Sequence, residues 1–269
     1  FIRVTGISPS PACIGSTITI TGSNFASGVT TVSINGTACT SVTWVSATSI
    51  TAVVAAGTTS GTVVISNPNG TNNGQTLTVN PLPSAIAGGA LTVCTSASTV
   101  AFTNATSGGT WSITAGTGSA SITAGGIATG ITAGTVTVVY TLPTGCFVTK
   151  ALTVNQAPVA IGGGAAAVCV NQTTPAFTDA TPGGTWSITA GTGTASITVG
   201  GIVTGLTAGT VTVVYTLSGC TASISLTVNA LPSNPANPTS NSPQCVSPGV
   251  TLTRTGTPPG TETWYWQTA

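Results

Sequence analysis

The chain has 269 residues, of which three are Lys or Arg, two are Asp or Glu and none is His. An ordinary soluble domain is about 25% charged, so 2% charge at a formal net +1 leaves Thr, Ser, Asn, Gly and Ala to make the surface, with little repulsion between copies. Most catalytic chemistry goes with the charges: a nucleophilic Ser, Cys or Thr needs an adjacent base, and the carboxylates Asp179 and Glu262 lie in different segments.

In chain order, Phe1 opens directly on a strand-like FIRVTG and the turn ISPSP. A leader, and with it upstream domains, is expected to be missing ahead of it. Strand-sized runs with period two then recur about every ten residues, broken by Gly, Pro, Asn and Ser, and no segment holds a helical period with caps. The prediction is an all-β chain. No run of about 20 apolar residues occurs, so no membrane span by a helix is expected.

The strongest internal signal is a repeat. Gly108–Leu142 and Gly183–Leu217 are identical at 31 of 35 positions with an offset of 75 residues, and the four differences, at 119/194, 124/199, 128/203 and 131/206, are small or apolar exchanges. This is the signature of a tandem array. Within GTVTVVYTL, Val136, Val138, Tyr140 and Leu142 are predicted inward, and Thr135, Thr137, Val139 and Thr141 outward. Val211, Val213, Tyr215 and Leu217 repeat the inward set. Short Pro-containing joints after each Thr-Val-Asn ending (Asn80-Pro81, Asn155 to Pro158, Asn229 to Pro232) divide the chain into 1–80, 81–155, 156–229 and an incomplete 230–269, joined semi-rigidly.

The first segment resembles an IPT/TIG domain. The resemblance rests on Ile7-Ser8-Pro9, on Gly15 followed by Ile18-Thr19-Ile20-Thr21-Gly22-Ser23-Asn24-Phe25, on Val32-Ser33-Ile34-Asn35-Gly36 and on Val63-Val64-Ile65-Ser66-Asn67-Pro68-Asn69-Gly70. Residues 81–229 resemble bacterial Ig-like repeats of long secreted surface proteins of the Bacteroidetes type, through Gly-Thr-Trp and the later Gly, Thr-Gly and Ala-Gly-Thr spacing. The resemblance implies tandem immunoglobulin-like β-sandwiches with an adhesive or scaffolding role outside the cell. Residues 230–269 look like the start of another such domain, with Cys245 at its first core position and Trp264-Tyr265-Trp266 on its core strand. It is expected to close beyond Ala269.

Seven cysteines are present. If each domain pairs its own, the disulfides are Cys13–Cys39, Cys94–Cys146 and Cys169–Cys220, with Cys245 unpaired within the chain. Offsets of 75 and 74 residues between equivalent cysteines support a repeated pattern. Buried free thiols are the alternative, and zinc is disfavoured by the absence of His and of Cys-x-x-Cys. Oxidised cysteines imply an extracellular or cell-surface location.

Other candidate residues have simpler structural roles. Lys150 lacks the nearby acid an isopeptide crosslink needs, and reads as a solvated side chain. Asp179 alone cannot build a calcium joint. Trp111 and Trp186, and more weakly Trp44, read as core aromatics rather than sugar platforms. Gly162-Gly163-Gly164 reads as a turn, since no helix or Lys follows to make a phosphate cradle. Three scattered cations exclude nucleic acid as an ordinary partner. Asn35, Asn69, Asn104 and Asn171 fit the N-glycan acceptor pattern, which chance alone supplies in so Thr-rich a chain.

The expectation is a non-enzymatic structural protein without cofactor or metal, a segment of a self-associating fibre, sheath or adhesin stalk. Its partners are copies of itself, met through an outward face that includes Thr137 and Thr212, with surface glycans as a second partner class. The alternative is a carbohydrate-binding accessory module of a secreted multidomain protein. A Thr-ladder ice-binding face ranks lower, because Thr135-Val-Thr137 and Thr210-Val-Thr212 give one short rung each.

Overall fold

A computed structural model describes residues 1–28, 30–231, 239–240 and 252–253. Cys245, Trp264 and Trp266 lie outside the described residues, as does the incomplete domain expected over 230–269 apart from a short Thr239–Ser240 pairing with Leu252–Thr253. The chain divides into two compact units, Phe1–Ala157 and Pro158–Ala269.

The first unit contains two cores. Residues 1–80 form a sandwich of two four-stranded antiparallel sheets. One runs, in spatial order, Arg3–Ser8, Thr17–Ser23, Ser49–Val53 and Val42–Ser46; the other runs Thr37–Ala38, Thr31–Ile34, Gly61–Asn67 and Gly70–Leu77. The period-two pattern explains the layers: Ile18 and Ile20 from one sheet, with Val32, Ile34, Val63 and Ile65 from the other, are buried in one core. Each such aliphatic side chain contributes on the order of 1.5–3 kcal/mol by leaving water.

The second core, from Ile86 to Val154, has a thinner architecture. One four-stranded sheet runs Thr92–Cys94, Phe147–Asn155, Gly134–Thr141 and Thr110–Ala115. Its cover is two two-stranded ribbons, Ser119–Ile122 with Ala128–Thr132 and Ala87–Gly88 with Phe102–Thr103. Val136, Val138 and Tyr140 are buried while Leu142 is only partly so.

The second unit repeats this plan. Its sheet runs Ala167–Cys169, Cys220–Asn229, Gly209–Leu217 and Thr185–Ala190, under the ribbons Thr194–Ile197 with Val203–Thr207 and Gly162–Gly163 with Phe177–Thr178. The Gly162–164 run is thus more than a turn. Gly164 has φ +62°, and a Cβ there would lie 2.2 Å from the Phe177 ring, so only glycine lets the backbone lie against that aromatic ring. Gly89 meets Phe102 in the same way in the first unit.

Candidate assembly face and covalent joint

The outward face of each repeat sheet is tiled with short polar side chains. In the first unit the register aligns Thr110, Thr141 and Phe147; then Ser112, Val139 and Thr149; then Thr114, Thr137 and Ala151. The second unit aligns Thr185, Thr216 and Thr221; Ser187, Val214 and Ser223; and Thr189, Thr212 and Ser225. Thr137 and Thr212 therefore sit mid-sheet in these faces, half-buried between neighbouring strands. The edge strands Thr110–Ala115 and Thr185–Ala190 carry neither charge nor Pro, the devices that usually discourage edge-to-edge pairing.

Hydroxyls elsewhere on the repeats pair with one another. Thr117 and Thr135 share a hydrogen bond at 3.2 Å and Ser119 and Thr132 one at 2.7 Å, and Thr192 with Thr210 and Thr194 with Thr207 repeat both distances.

The cysteines depart from the expected pairing. Cys13 is bonded to Cys146, with Cα atoms 5.6 Å apart and 133 residues between them in sequence, so the bridge joins the first sandwich to the second rather than closing either one. The reason is positional. Cys13 lies on the Ala12–Cys13 strand, which runs parallel to Val79–Asn80 where the chain leaves the first sandwich. Cys146 ends the turn that begins at Leu142, whose N–H donates to the Cys146 carbonyl at 2.9 Å. Its Sγ lies 3.8 Å from the Asn80 carbonyl oxygen. Leu82 and Phe147 line a small hollow beside the bridge with Ile14, Gly15 and Ser16.

Cys13–Cys39 and Cys94–Cys146 are thereby overturned, and so is Cys169–Cys220, because Cys39 and Cys169 are free thiols. Cys94 and Cys220 are disulfide-bonded. Cys39 packs against the first core, and burial pushes its thiol above the ordinary value of 9.0.

Trp111 and Trp186 are half-buried lids on their cores, with ring centroids 4.6 Å from Tyr140 and 4.7 Å from Tyr215. Each tyrosine hydroxyl donates to a loop carbonyl, Thr106 or Thr181, at 2.8 Å and accepts from the N–H of Gly109 or Gly184. Trp44 is no core residue: it is 42% exposed, its indole N–H donating to the Phe25 carbonyl at 3.2 Å. Lys150 is not a freely solvated side chain. Its ammonium donates to the Gly88 carbonyl at 2.8 Å and stands 5.5 Å from the Phe102 ring centroid. Asp179 Oδ1 accepts from the Thr181 N–H at 2.7 Å, while Oδ2 is buried without a hydrogen-bond partner.

Asn35 and Asn104, two of the glycan-acceptor candidates, donate from their amides to Thr59 Oγ1 and to the Ser84 carbonyl. Among the described residues, no three His, Cys, Asp or Glu side chains gather as a metal site, and no helix is long and apolar enough to cross a membrane.

The Ile18 to Gly22 strand and the Asn67–Gly70 turn carry a recognisable sequence pattern. Residues 3–80 match the IPT/TIG domain. The TIG domain is thus the first sandwich, with its Cys13 bonded outward. A search of the curated proteins finds no match.

Among solved structures, the chain is similar to the I-band fragment I67–I69 of titin (12% identity, TM-score 0.25, covering 86% of this chain and 98% of that one). It is also similar to the N-terminal eight Ig domains of Down Syndrome Cell Adhesion Molecule (11% identity, TM-score 0.31, covering 89% and 38%). A third likeness is to extracellular domains 3–5 of Drosophila OTK (9% identity, TM-score 0.30, covering 84% and 97%). The fold itself is all-β, as tandem Ig-like sandwiches.

Proposed function

We propose that this chain is a non-enzymatic structural segment of an extracellular fibre, sheath or adhesin stalk that associates with copies of itself. The observation that carries the reading is the uncharged Thr/Ser face of the repeat sheets, bordered by edge strands with no charge or Pro. Such a face offers hydroxyls, methyls and open backbone groups to an identical face, and no like charges keep the copies apart. The Cys13–Cys146 bridge supports the mechanical half of the proposal, because it fixes the joint between two sandwiches. Oxidised cysteines support a location outside the cytoplasm.

The test is Thr137→Lys with Thr212→Lys. Both positions lie on the outer face, where a Lys stem can lie along the sheet and its ammonium reach water. Assembly, followed by sedimentation and negative-stain microscopy, is expected to fall while the circular dichroism of the sandwiches stays unchanged. Undiminished assembly of the folded double variant would remove this face from the contact.

A second reading has one observation behind it. Trp44 is exposed, and its indole is held by Phe25 beside a hollow that Gly28, Thr30 and Val42 also line, which suits stacking on a sugar ring. As a carbohydrate-binding accessory module, the TIG domain would show polysaccharide-dependent quenching of indole fluorescence that Trp44→Ala abolishes. No difference in quenching between the variant and the parent would discard this reading.

A further inference from the structure

Three cysteines occupy one repeated local frame. Cys13, Cys94 and Cys169 each end a short strand that runs parallel to the closing strand of its own sandwich, opposite Asn80, Asn155 and Asn229. The N–H of the following residue, Ile14, Thr95 or Val170, donates to the carbonyl of that Asn at 3.2, 2.9 and 3.0 Å. The cysteine carbonyl then accepts from Ser16, Ala97 or Gln172 at 3.1, 3.1 and 3.0 Å, closing a turn. Its third residue, Gly15, Ser96 or Asn171, has φ of 79°, 65° and 64°. Each of these cysteines therefore stands beside the point where the polypeptide leaves its sandwich.

The frame has a known use in this molecule. At Cys13 the partner is Cys146, which follows Gly145 in the tight turn of the next sandwich. Cys220 follows Gly219 at the equivalent place in the third sandwich. The corresponding turn of the TIG domain, Asn67–Gly70, has no cysteine, and the Cys13–Cys146 bridge runs from the frame cysteine to the turn of the sandwich that follows.

Cys169 is the third frame cysteine, and it is a free thiol. It is half-buried rather than enclosed, and it is not among the side chains packed on the third core. Cys39, the other free thiol among the described residues, packs into its own core and has no such frame.

We propose that Cys169 is a linking thiol, which forms a disulfide with the Gly-Cys turn of an Ig-like domain following Asn229 in the same polypeptide. The two thiols lose two protons and two electrons, and the S–S bond forms by exchange with a thiol–disulfide oxidase whose own disulfide is reduced to the dithiol. The inference holds whether or not the chain polymerises, because it rests on the repeated frame and not on the Thr faces.

The test uses the full polypeptide isolated from its source, alkylated at once under non-reducing conditions and mapped by mass spectrometry. Cys169 is expected to escape alkylation until reductant is added, and its non-reduced peptide to carry a cysteine that follows Gly and lies C-terminal to the third sandwich. The Cys169→Ser protein is expected to expose one new alkylatable thiol, at that partner. Alkylation of Cys169 without reductant would overturn the proposal. So would its linkage to Cys39, to Cys245 or to a second copy seen as a doubled mass on a non-reducing gel, or a Cys169→Ser protein with no newly exposed thiol.

Discussion

The TIG domain and the third sandwich solve the same packing problem with different means. In the first, two four-stranded sheets enclose a cluster of 15 buried side chains; in the third, one sheet and two ribbons enclose seven. A small core contributes less hydrophobic stabilisation, and the repeats supplement it locally. The Trp186–Tyr215 lid, the tyrosine hydroxyl tied to Thr181 and Gly184, and the buried Thr174 hydroxyl accepting from the Val203 N–H at 3.1 Å complete a core that aliphatic residues alone do not fill. The TIG domain leaves its own tryptophan on the surface.

The largest effect that separates the two regions is therefore expected at tryptophan. Trp186→Ala should cost the third sandwich about 3 kcal/mol, the low end for removing a large aromatic from a core, whereas Trp44→Ala should change the TIG domain by roughly 0.5 kcal/mol or less. Denaturant unfolding of the two variants measures both. Equal losses would show that the lids are not what the small cores lean on.

Next in size is the joint. Cys13→Ser with Cys146→Ser should lower the stability of the first unit by about 2–4 kcal/mol and broaden its scattering profile as the joint loosens. A Cys39→Ser control, which breaks no bond, should leave the profile unchanged. Retained rigidity in the double variant would move the source of stiffness from the bridge to the Pro joint.

The smallest effect is in pH. With three Lys or Arg, two Asp or Glu and no His in the chain, few groups are present to change proton binding on unfolding, so melting is expected to be flat from about pH 4 to pH 8. Burial raises the folded Cys39 thiol above its ordinary 9.0. Its contribution is therefore whole below pH 9 and is lost as pH rises toward the folded value, because the unfolded chain ionises first. The loss should be confined to the TIG domain and absent in Cys39→Ser. A fall in the same range by the third sandwich, with no loss by the TIG domain, would contradict this.

The layers were legible in the sequence because period two states directly which residues face inward, as Val136, Val138 and Tyr140 do. The pairing of Cys13 was not legible. Offsets of 75 and 74 residues between equivalent cysteines are satisfied equally by a bridge within each domain and by a bridge to the next, since both repeat with the same period. What decides is that the Ala12–Cys13 strand runs parallel to the exit strand, a pairing of residues far apart in sequence. Trp44 misled for a related reason: its alternating neighbours look like a core strand, yet Val42–Ser46 is a sheet edge with a register shift between Trp44 and Ser46. Lys150 lies at an inward position of its strand, opposite Val138, and only the nearby Gly88 carbonyl and Phe102 ring make that position acceptable to an ammonium group.

The covalent joint between the first two sandwiches is tested most directly by non-reducing peptide mapping of the first unit with a protease that cuts between Cys13 and Cys39. A linked pair of peptides containing Cys13 and Cys146, with Cys39 recovered as a thiol, is the result predicted. A peptide pair joining Cys13 to Cys39 would contradict it.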